Sequence, residues 1–365
     1  MTLTANGREL TRMTASYSHS FLSIRGYKVM NSSQRQKSIF PSKSLLFTPA
    51  TKSDKYGHEL TRMTASYSRS FVSIRSYKVM NSPQFQKSIF SLKSWLFTPA
   101  TKPDRFARAA DVHADGLIID LEDAVAPSSK NEARVAALRY LEEIPADHLP
   151  CVLRINSPDT RFGLDDLQAL LISSANPDYL IVPKCNSSAL IGLVGNLLRQ
   201  AKRTTQIIAL IESAKAVRAL EEIVSGEVKP AALIFGAADM AADLGAETAW
   251  EPLLWVRSRT IEVAACAAIA AFDSPYFDIK DTAGLKQETK ASASLGFHGK
   301  CAIHPAQIAT INEVLTPSEH EITEARQILA VNRQGVGSVA GQMVDEAVAR
   351  KARRVLERAG ITPQD

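Results

Sequence analysis

The 365-residue chain has few cysteines and no long apolar run. Its four cysteines, Cys151, Cys185, Cys266 and Cys301, are far apart and form no CxxC pair. This spacing argues against a disulfide scaffold or a structural zinc site, and it favours a reducing compartment such as the cytoplasm. No apolar run approaches the roughly 18 to 20 residues of a membrane span, which excludes an integral membrane protein. Neither GxGxxG nor GxxxxGK[ST] occurs, which argues against the common nucleotide-binding folds.

Acidic residues are scarce in the first part of the chain. Residues 1–93 contain 15 Lys and Arg but only three acidic residues, whereas residues 94–365 contain 28 basic and 35 acidic residues. A nucleic-acid-binding protein needs its basic face on the folded domain. Because the excess of positive charge precedes the predicted domain, we expect no nucleic-acid partner.

A tandem duplication occupies the basic leader, residues 1–93. Residues 9–54 and 59–104 align without a gap and are identical at 37 of 46 positions. The leader has too few apolar residues to offset the entropy of ordering, so we expect it to be disordered. An Arg- and Ser-rich, acid-poor start also resembles an organellar transit peptide, which makes a mitochondrial location the alternative to the cytoplasm. An upstream extension without function is the interpretation that we favour.

After residue 93, short apolar strands alternate with longer helical stretches. This alternation is typical of βαβ units, and eight such units in about 270 residues predict a TIM (β/α)8 barrel. We assign the barrel to residues 94–335 and a C-terminal helical segment to residues 336–365. The eight predicted strands begin at Ser94, Gly116, Cys151, Tyr179, Ile207, Ala232, Ala270 and Gly299.

Polar residues close most of these apolar runs, and in a TIM barrel the chemistry lies at the carboxyl-terminal ends of the strands. Glu212 and Asp239 end neighbouring strands, which predicts two carboxylates close together. Such a pair repels unless a proton or a cation lies between its members. Hard oxygen ligands with open positions suit Mg²⁺ or Mn²⁺, although two unrelated acids at the rim remain an alternative.

Arg154 and Lys184 are the basic residues at the ends of the third and fourth strands. The planar fork of Arg154 suits a substrate carboxylate, but a salt bridge to Glu122 or Asp123 is an equal possibility. Lys184 could act as the Schiff-base lysine of a class I aldolase, because a desolvated lysine can lose its proton. A structural bridge from Lys184 to Glu122 or Asp123 is the simpler interpretation.

Several motifs together resemble the citrate lyase beta subunit family of the HpcH/HpaI aldolase superfamily. Their order and spacing together make the probability of a chance match very small. The resemblance runs from about Ser94 to the last helix. The motifs are SWLFTPATKPDRF, IIDLEDAVAPSSKNEAR, VLRINSPDTRFGLDDL, VPKCNSS, ALIES, LIFGAADMAADLG and GFHGKCAIHPAQIATIN.

The resemblance implies a Mg²⁺-dependent carbon–carbon lyase that acts on citryl-CoA, citramalyl-CoA, malyl-CoA or a related 3-hydroxyacyl thioester. It implies that Glu212 and Asp239 bind the metal and that Arg154 binds the substrate. A catalytically silent subunit of a larger lyase complex, working with an acyl-carrier protein, is an alternative. The presence of all these residues argues against it.

The resemblance also implies a thioester-binding region and a proton-transfer residue. Phe97 and Arg105 on the first strand and its loop, with Ile303 and His304 in the IHP turn, match family positions that contact the thioester. Asp345 in GQMVD matches a C-terminal Asp that supplies acid/base chemistry, often across a subunit interface. We therefore expect a homotrimer or hexamer.

Overall fold

The computed structural model describes residues 88–361, apart from residues 146, 336 and 340. The predictions for residues 1–87, including the disorder of the leader and most of the duplication, lie outside the described residues. The described chain begins with a 3-10 turn, Ile89–Ser91, and the following Leu92 is fully buried. The packed structure thus begins a few residues before the first barrel strand.

Eight parallel strands close into a barrel in chain order, which confirms the predicted fold. The first strand pairs with both the second and the eighth, so that Trp95 lies beside Gly116 on one side and Cys301 on the other. The strands are β1 (Ser94–Pro99), β2 (Gly116–Asp120), β3 (Cys151–Arg154), β4 (Tyr179–Val182), β5 (Gln206–Ile211), β6 (Ala232–Phe235), β7 (Ala270–Asp273) and β8 (Gly299–Ala302).

Helices lie between and after these strands, as the sequence predicts. Side chains at several N-caps define where the helices begin; Thr160 accepts from Gly163 N–H, and Asp281 accepts from Gly284 N–H. The helices up to the end of the barrel are α1 (Arg108–Asp111), α2 (Lys130–Glu143), α3 (Arg161–Ile172), α4 (Ser188–Gln200), α5 (Ala214–Arg218), α6 (Leu220–Ser225), α7 (Ala237–Leu244), α8 (Trp250–Ala267), α9 (Thr282–Leu295) and α10 (Ala306–Leu315).

The barrel interior is an apolar cluster to which alternate strand residues contribute, since successive strand side chains point to opposite faces. Trp95 lies at its centre, with its rings edge-on to Tyr179 and Phe272. A Cβ at Gly116 would overlap the Trp95 ring, so the indole fits only because β2 begins with glycine. The residues of opposite parity pack outward against the helices.

Charged side chains are also buried between the strands and the helix layer. Asp273 at the end of β7 accepts from Lys300 on β8 at 2.7 Å and from Arg257 on α8 at 3.0 Å. Lys300 also donates to Glu288 on α9 at 2.8 Å. Each buried charge thus has an opposite partner, which is the condition for burying ions at tolerable cost. The network joins the last two strands to their helices.

The C-terminal part is a hairpin of two helices joined by two short strands. Its elements are α11 (Glu319–Arg333), β9 (Gly337–Val339), β10 (Gln342–Val344) and α12 (Glu346–Arg358). The two helices share an apolar cluster that includes Leu329 and Leu356. α11 thus packs on α12, and it lies within residues 94–335, the range predicted for the barrel domain. None of the helices described is both long and apolar enough to cross a membrane.

Candidate active site

A pocket of about 410 Å³ opens at the carboxyl-terminal ends of the strands. The charged part of its wall comes from the ends of β2, β3, β5 and β6 and the residues directly after them. β1 and the segments after β7 and β8 contribute apolar side chains. The predicted site residues in the lining are Phe97, Asp123, Arg154, Glu212, Asp239 and Ile303. A larger groove, about 640 Å³, lies on the outer surface along α2 and contains none of the predicted residues.

Arg154 is fixed by carboxylates on β2 and in the segment that follows it. Its Nε and Nη2 donate to the two oxygens of Asp120 at 2.6 and 2.7 Å, and its Nη1 donates to Asp123 at 3.3 Å. The guanidinium lies over the ring of Phe97, 5.0 Å from its centroid. Burial alone would lower the pKa of Arg154, but the charge and hydrogen bonds of Asp120 outweigh it, and the pKa is raised. Arg154 is therefore a permanent cation with a fixed plane.

Glu122 lies between the two predicted basic residues. Its Oε1 accepts from Lys184 Nζ at 2.8 Å, and its Oε2 lies 3.1 Å from Nη1 of Arg154. Oε2 is buried and has no aligned hydrogen-bond donor in the described part of the chain. Burial raises the pKa of Glu122, and the charge of Arg154 opposes this effect without cancelling it. Both salt bridges that the sequence analysis left open are thus present.

Glu212, at the end of β5, is almost fully buried. Its Oε1 accepts from the backbone N–H of Lys184 at 2.7 Å, and Lys184 has a left-handed φ of 51°. A Cβ on Gly236 would lie 2.6 Å from Glu212 Cβ and 3.0 Å from Oε2, so glycine at this position leaves space beside the carboxylate. Burial, with the charges of Glu122 and Asp239, raises the pKa of Glu212 to about 8.

Asp239 lies in the first turn of α7, directly after β6, and lines the same pocket as Glu212. The described residues contain no group of three or more His, Cys, Asp or Glu side chains able to hold a metal by themselves. Two carboxylates are nevertheless what Mg²⁺ commonly takes from a protein, with water and substrate oxygens completing the shell. The residues present therefore fit Mg²⁺.

Lys184 does not have the properties of a Schiff-base lysine. Burial by itself would lower its pKa, but the hydrogen bond to Glu122 and the surrounding carboxylates outweigh it, and the pKa is raised. A Schiff-base lysine has to be unprotonated to attack a carbonyl. The ion pair with Glu122 therefore favours the structural interpretation of Lys184.

Three residues implied by the family resemblance are not in the described lining of the pocket. Arg105 is exposed in the 3-10 turn Pro103–Arg105, and the ring of His304 accepts from the backbone N–H of Ala306 at the start of α10. Asp345 is exposed and caps α12 by accepting from Val348 N–H at 2.9 Å. The roles assigned to these residues stay predictions.

Some structurally important contacts were not predicted. Asp120 closes the second predicted strand, but its role as the main partner of Arg154, its direct neighbour in the register of β2 and β3, was not predicted. Lys130 donates to the carbonyls of Leu121 and Glu122 at 2.8 and 2.7 Å and so fixes the acidic segment after β2. Neither contact can be identified from one sequence, because the register of the strands and the direction of a helix side chain both have to be known first. The alternation of side chains along β2 was the available signal for Asp120.

The fold and the site together define a TIM-barrel enzyme with carboxylates and an arginine at its catalytic end. The HpcH/HpaI aldolase/citrate lyase family model matches residues 93–305. The chain belongs to this family.

Curated relatives and solved structures agree with this assignment. Citrate lyase subunit beta of Leuconostoc mesenteroides subsp. cremoris is 33% identical over 67% of this chain and 86% of its own. An L-malyl-CoA/beta-methylmalyl-CoA lyase of Cereibacter sphaeroides is 32% identical over 70% of this chain and 90% of its own. Among structures, CitE of Mycobacterium tuberculosis in complex with magnesium, acetoacetate and coenzyme A has a TM-score of 0.62 and 34% identity, covering 74% of this chain and 100% of CitE. RipC of Yersinia pestis has a TM-score of 0.57 and 44% identity, and the match covers 64% of this chain and 99% of RipC.

Proposed function

We propose that this protein is a Mg²⁺-dependent carbon–carbon lyase that cleaves a 3-hydroxyacyl thioester of coenzyme A. The observation that carries the proposal is the grouping of Glu212, Asp239 and Arg154 around one pocket that also has an apolar wall. Two relatives are named as a citrate lyase subunit and a malyl-CoA lyase, and the CitE structure contains magnesium and coenzyme A. Citryl-CoA, citramalyl-CoA and malyl-CoA are the candidate substrates.

In the cleavage, the substrate hydroxyl releases its proton to solvent and becomes a carbonyl, and the neighbouring carbon–carbon bond breaks. The electron pair of that bond forms the thioester enolate, whose α-carbon then takes up a proton. The chemistry that Mg²⁺ supplies when held by Glu212 and Asp239 is Lewis-acid polarisation of the oxygen that becomes the carbonyl.

Arg154 binds the carboxylate of the substrate. Three of its five N–H groups are used by Asp120 and Asp123, so one N–H on each terminal nitrogen remains. Because the guanidinium is already held in place, it needs no reorganisation when negative charge develops. The apolar side chains of Phe97, Phe277 and Ile303 exclude water from the thioester.

Asp345 supplies the proton to the α-carbon, in the pocket of a neighbouring copy. At the other end of α12, Arg358 donates to the carbonyl of Phe297, which lies two residues before β8 and so at the barrel end opposite the pocket. A helix of 13 residues is about 20 Å long, and Asp345 begins it. Asp345 is absent from the described lining of the pocket in its own chain, so we place it in the pocket of a second copy of the chain. We therefore propose a homotrimer or hexamer.

We also propose a cytoplasmic location, which the four free cysteines support. The location of a fluorescent protein fused after residue 365 distinguishes a cytoplasmic protein from one that is imported into mitochondria. Signal in mitochondria would make the basic leader a transit peptide and would overturn the cytoplasmic assignment.

The function is tested by incubating the full-length protein with each candidate CoA thioester, with Mg²⁺ and with EDTA. We expect cleavage of at least one thioester, abolished by EDTA and by Glu212→Ala, whereas Glu227→Ala at an exposed position retains it. Cleavage that persists in EDTA would contradict the metal mechanism. An acyl-carrier protein as the thioester carrier, or a silent subunit, would be indicated if no CoA thioester were cleaved.

A further inference from the structure

Gln307, in the first turn of α10, joins the segment after β7 to the segment after β8. These two segments form the apolar mouth of the pocket. Its side chain is 2% exposed. Its Nε2 donates to the carbonyl of Tyr276 at 2.7 Å, and its Oε1 accepts from Ile303 N–H at 3.0 Å and His304 N–H at 3.3 Å. One buried amide thus uses its donor end on the segment after β7 and its acceptor end on the segment after β8.

The two joined segments carry the apolar part of the pocket wall. Pro275 and Phe277 flank Tyr276, and Ile303 itself lines the pocket. Phe277 and Ile303 are 46% and 37% exposed, so both present apolar surface to the pocket. Together with Phe97 on β1, they form a continuous apolar sector because β7, β8 and β1 are neighbours in the barrel.

The segment after β7 is held at its other points independently of Gln307. The Tyr276 hydroxyl donates to Asp281 at 2.6 Å, and Asp281 caps α9. At the strand end, Asp273 is bound to Lys300 and Arg257. Gln307 therefore does not hold the segment to the barrel. Its hydrogen bonds set the distance between this segment and the Ile303 turn.

We infer that Gln307 is a positioning residue that sets the width of the apolar mouth and thereby the affinity for the thioester-linked arm of the substrate. The inference rests on the proposed function. Carboxylates and Arg154 line the other sectors, so the uncharged arm fits the sector that contains Phe277 and Ile303. Gln307 contacts none of the predicted metal or carboxylate ligands, and a change there alters binding of the arm rather than the bond-breaking step.

The test compares Gln307→Met, which keeps the length of the side chain but removes both polar ends, with Gln327→Met at an exposed position on α11. We expect Gln307→Met to raise KM for the thioester by roughly tenfold and to change kcat less than about threefold. The arm of the substrate is bound equally in the ground state and the transition state, so weaker binding of the arm affects KM and not kcat. We also expect weaker binding of coenzyme A alone in calorimetry and faster exchange of the Ile303 and His304 amide hydrogens. Gln327→Met should leave all of these unchanged.

If Gln307→Met does not fold, Gln307→Asn keeps the amide but is too short to reach both segments, and it should show the same effects at smaller size. An unchanged KM with slow amide exchange in the folded variant would overturn the inference, as would a fall in kcat at constant KM. Failure of the wild type to cleave any CoA thioester would instead overturn the proposed function. The exchange and coenzyme A measurements need no turnover, so the two failures are distinguishable.

Discussion

Arg154 and Asp120 are partners in the register of β2 and β3, and two parallel hydrogen bonds of 2.6 and 2.7 Å join their side chains. Their opposite charges balance each other, both side chains are buried, and Arg154 still lines the pocket. The interpretation of Arg154 as a salt-bridge residue and its interpretation as a substrate ligand are therefore compatible.

Arg154→Lys should remove this geometry while keeping the positive charge. Lysine cannot make the two parallel bonds to Asp120, and its ammonium would sit elsewhere. We expect kcat/KM to fall roughly 100-fold, the size seen when a preorganised donor is lost. Steady-state kinetics measure this, with Arg139→Lys on the exposed face of α2 as the matched control. Equal losses in both variants would contradict a specific role for Arg154.

Metal affinity should depend on pH through Glu212. In the metal-free protein its pKa is raised from 4.5 to about 8, so below pH 8 an ion has to displace a proton. We expect the Mg²⁺ association constant to fall about tenfold per pH unit below pH 8 and to level off above it. Calorimetry in two buffers with different ionisation enthalpies measures the released proton. Affinity that is constant between pH 6 and pH 9 would contradict the assignment of Glu212 as a ligand.

The same shift predicts the stability of the metal-free protein. Because the folded state holds the Glu212 proton more tightly than the unfolded state does, folding binds a proton between pH 4.5 and about 8. The contribution of Glu212 to the free energy of unfolding is therefore lost as pH rises through this range. Glu212→Gln should remove that part of the pH dependence in urea titrations without added metal.

Lys184→Met tests the Schiff-base alternative. The substitution breaks the ion pair with Glu122 but removes no metal ligand. We expect reduced but measurable cleavage and no covalent trapping of substrate by borohydride in the wild type. Lys202→Met is the matched control, since Lys202 is exposed and shares the left-handed φ of Lys184. Borohydride labelling of Lys184 would establish the aldolase mechanism instead.

Asp345 should act in the pocket of another copy. Asp345→Ala and Glu212→Ala are each expected to be inactive, but their co-expression should restore activity. By random mixing, about a quarter of the pockets would combine an intact Glu212 with an intact neighbouring Asp345. Tandem purification through two different tags isolates the mixed oligomers. No recovery in these oligomers would indicate that Asp345 acts within its own chain or not at all.

His298 should make the protein sensitive to acid. Burial, with the charges of Arg358 and Arg354, lowers its pKa from 6.5 to about 4. As pH falls, the unfolded state therefore binds a proton at His298 before the folded state does. The contribution of His298 to the free energy of unfolding is lost as pH falls from 6.5 to about 4, by up to ~1.4 kcal/mol per pH unit. His298→Asn keeps an acceptor for Ala271 N–H, and it should reduce the pH dependence of the free energy of unfolding below pH 6.5 in urea titrations. His320→Asn, on the exposed side of α11, should not change that dependence.

The barrel was predictable because each strand is a short apolar run and the runs recur with helical stretches between them. The positions of Glu212 and Arg154 at the rim followed from the ends of those runs. The buried pair Lys300 and Asp273 was not predictable, since a charged residue within a short strand is ordinarily interpreted as exposed. The separation of Asp345 from the pocket depends on the direction of the α11–α12 hairpin, which no local pattern specifies.

Trp95 is also the residue that distinguishes the first strand from its upstream copy in the sequence. The upstream copy of this segment, SLLFTPA, is identical to SWLFTPA except that Leu45 stands in place of Trp95. The indole packs against Tyr179 and Phe272 above Gly116, and the smaller leucine would leave an interior void there, which is costly in a close-packed core. The size of this one side chain thus determines how completely the segment fills the barrel interior beside β2.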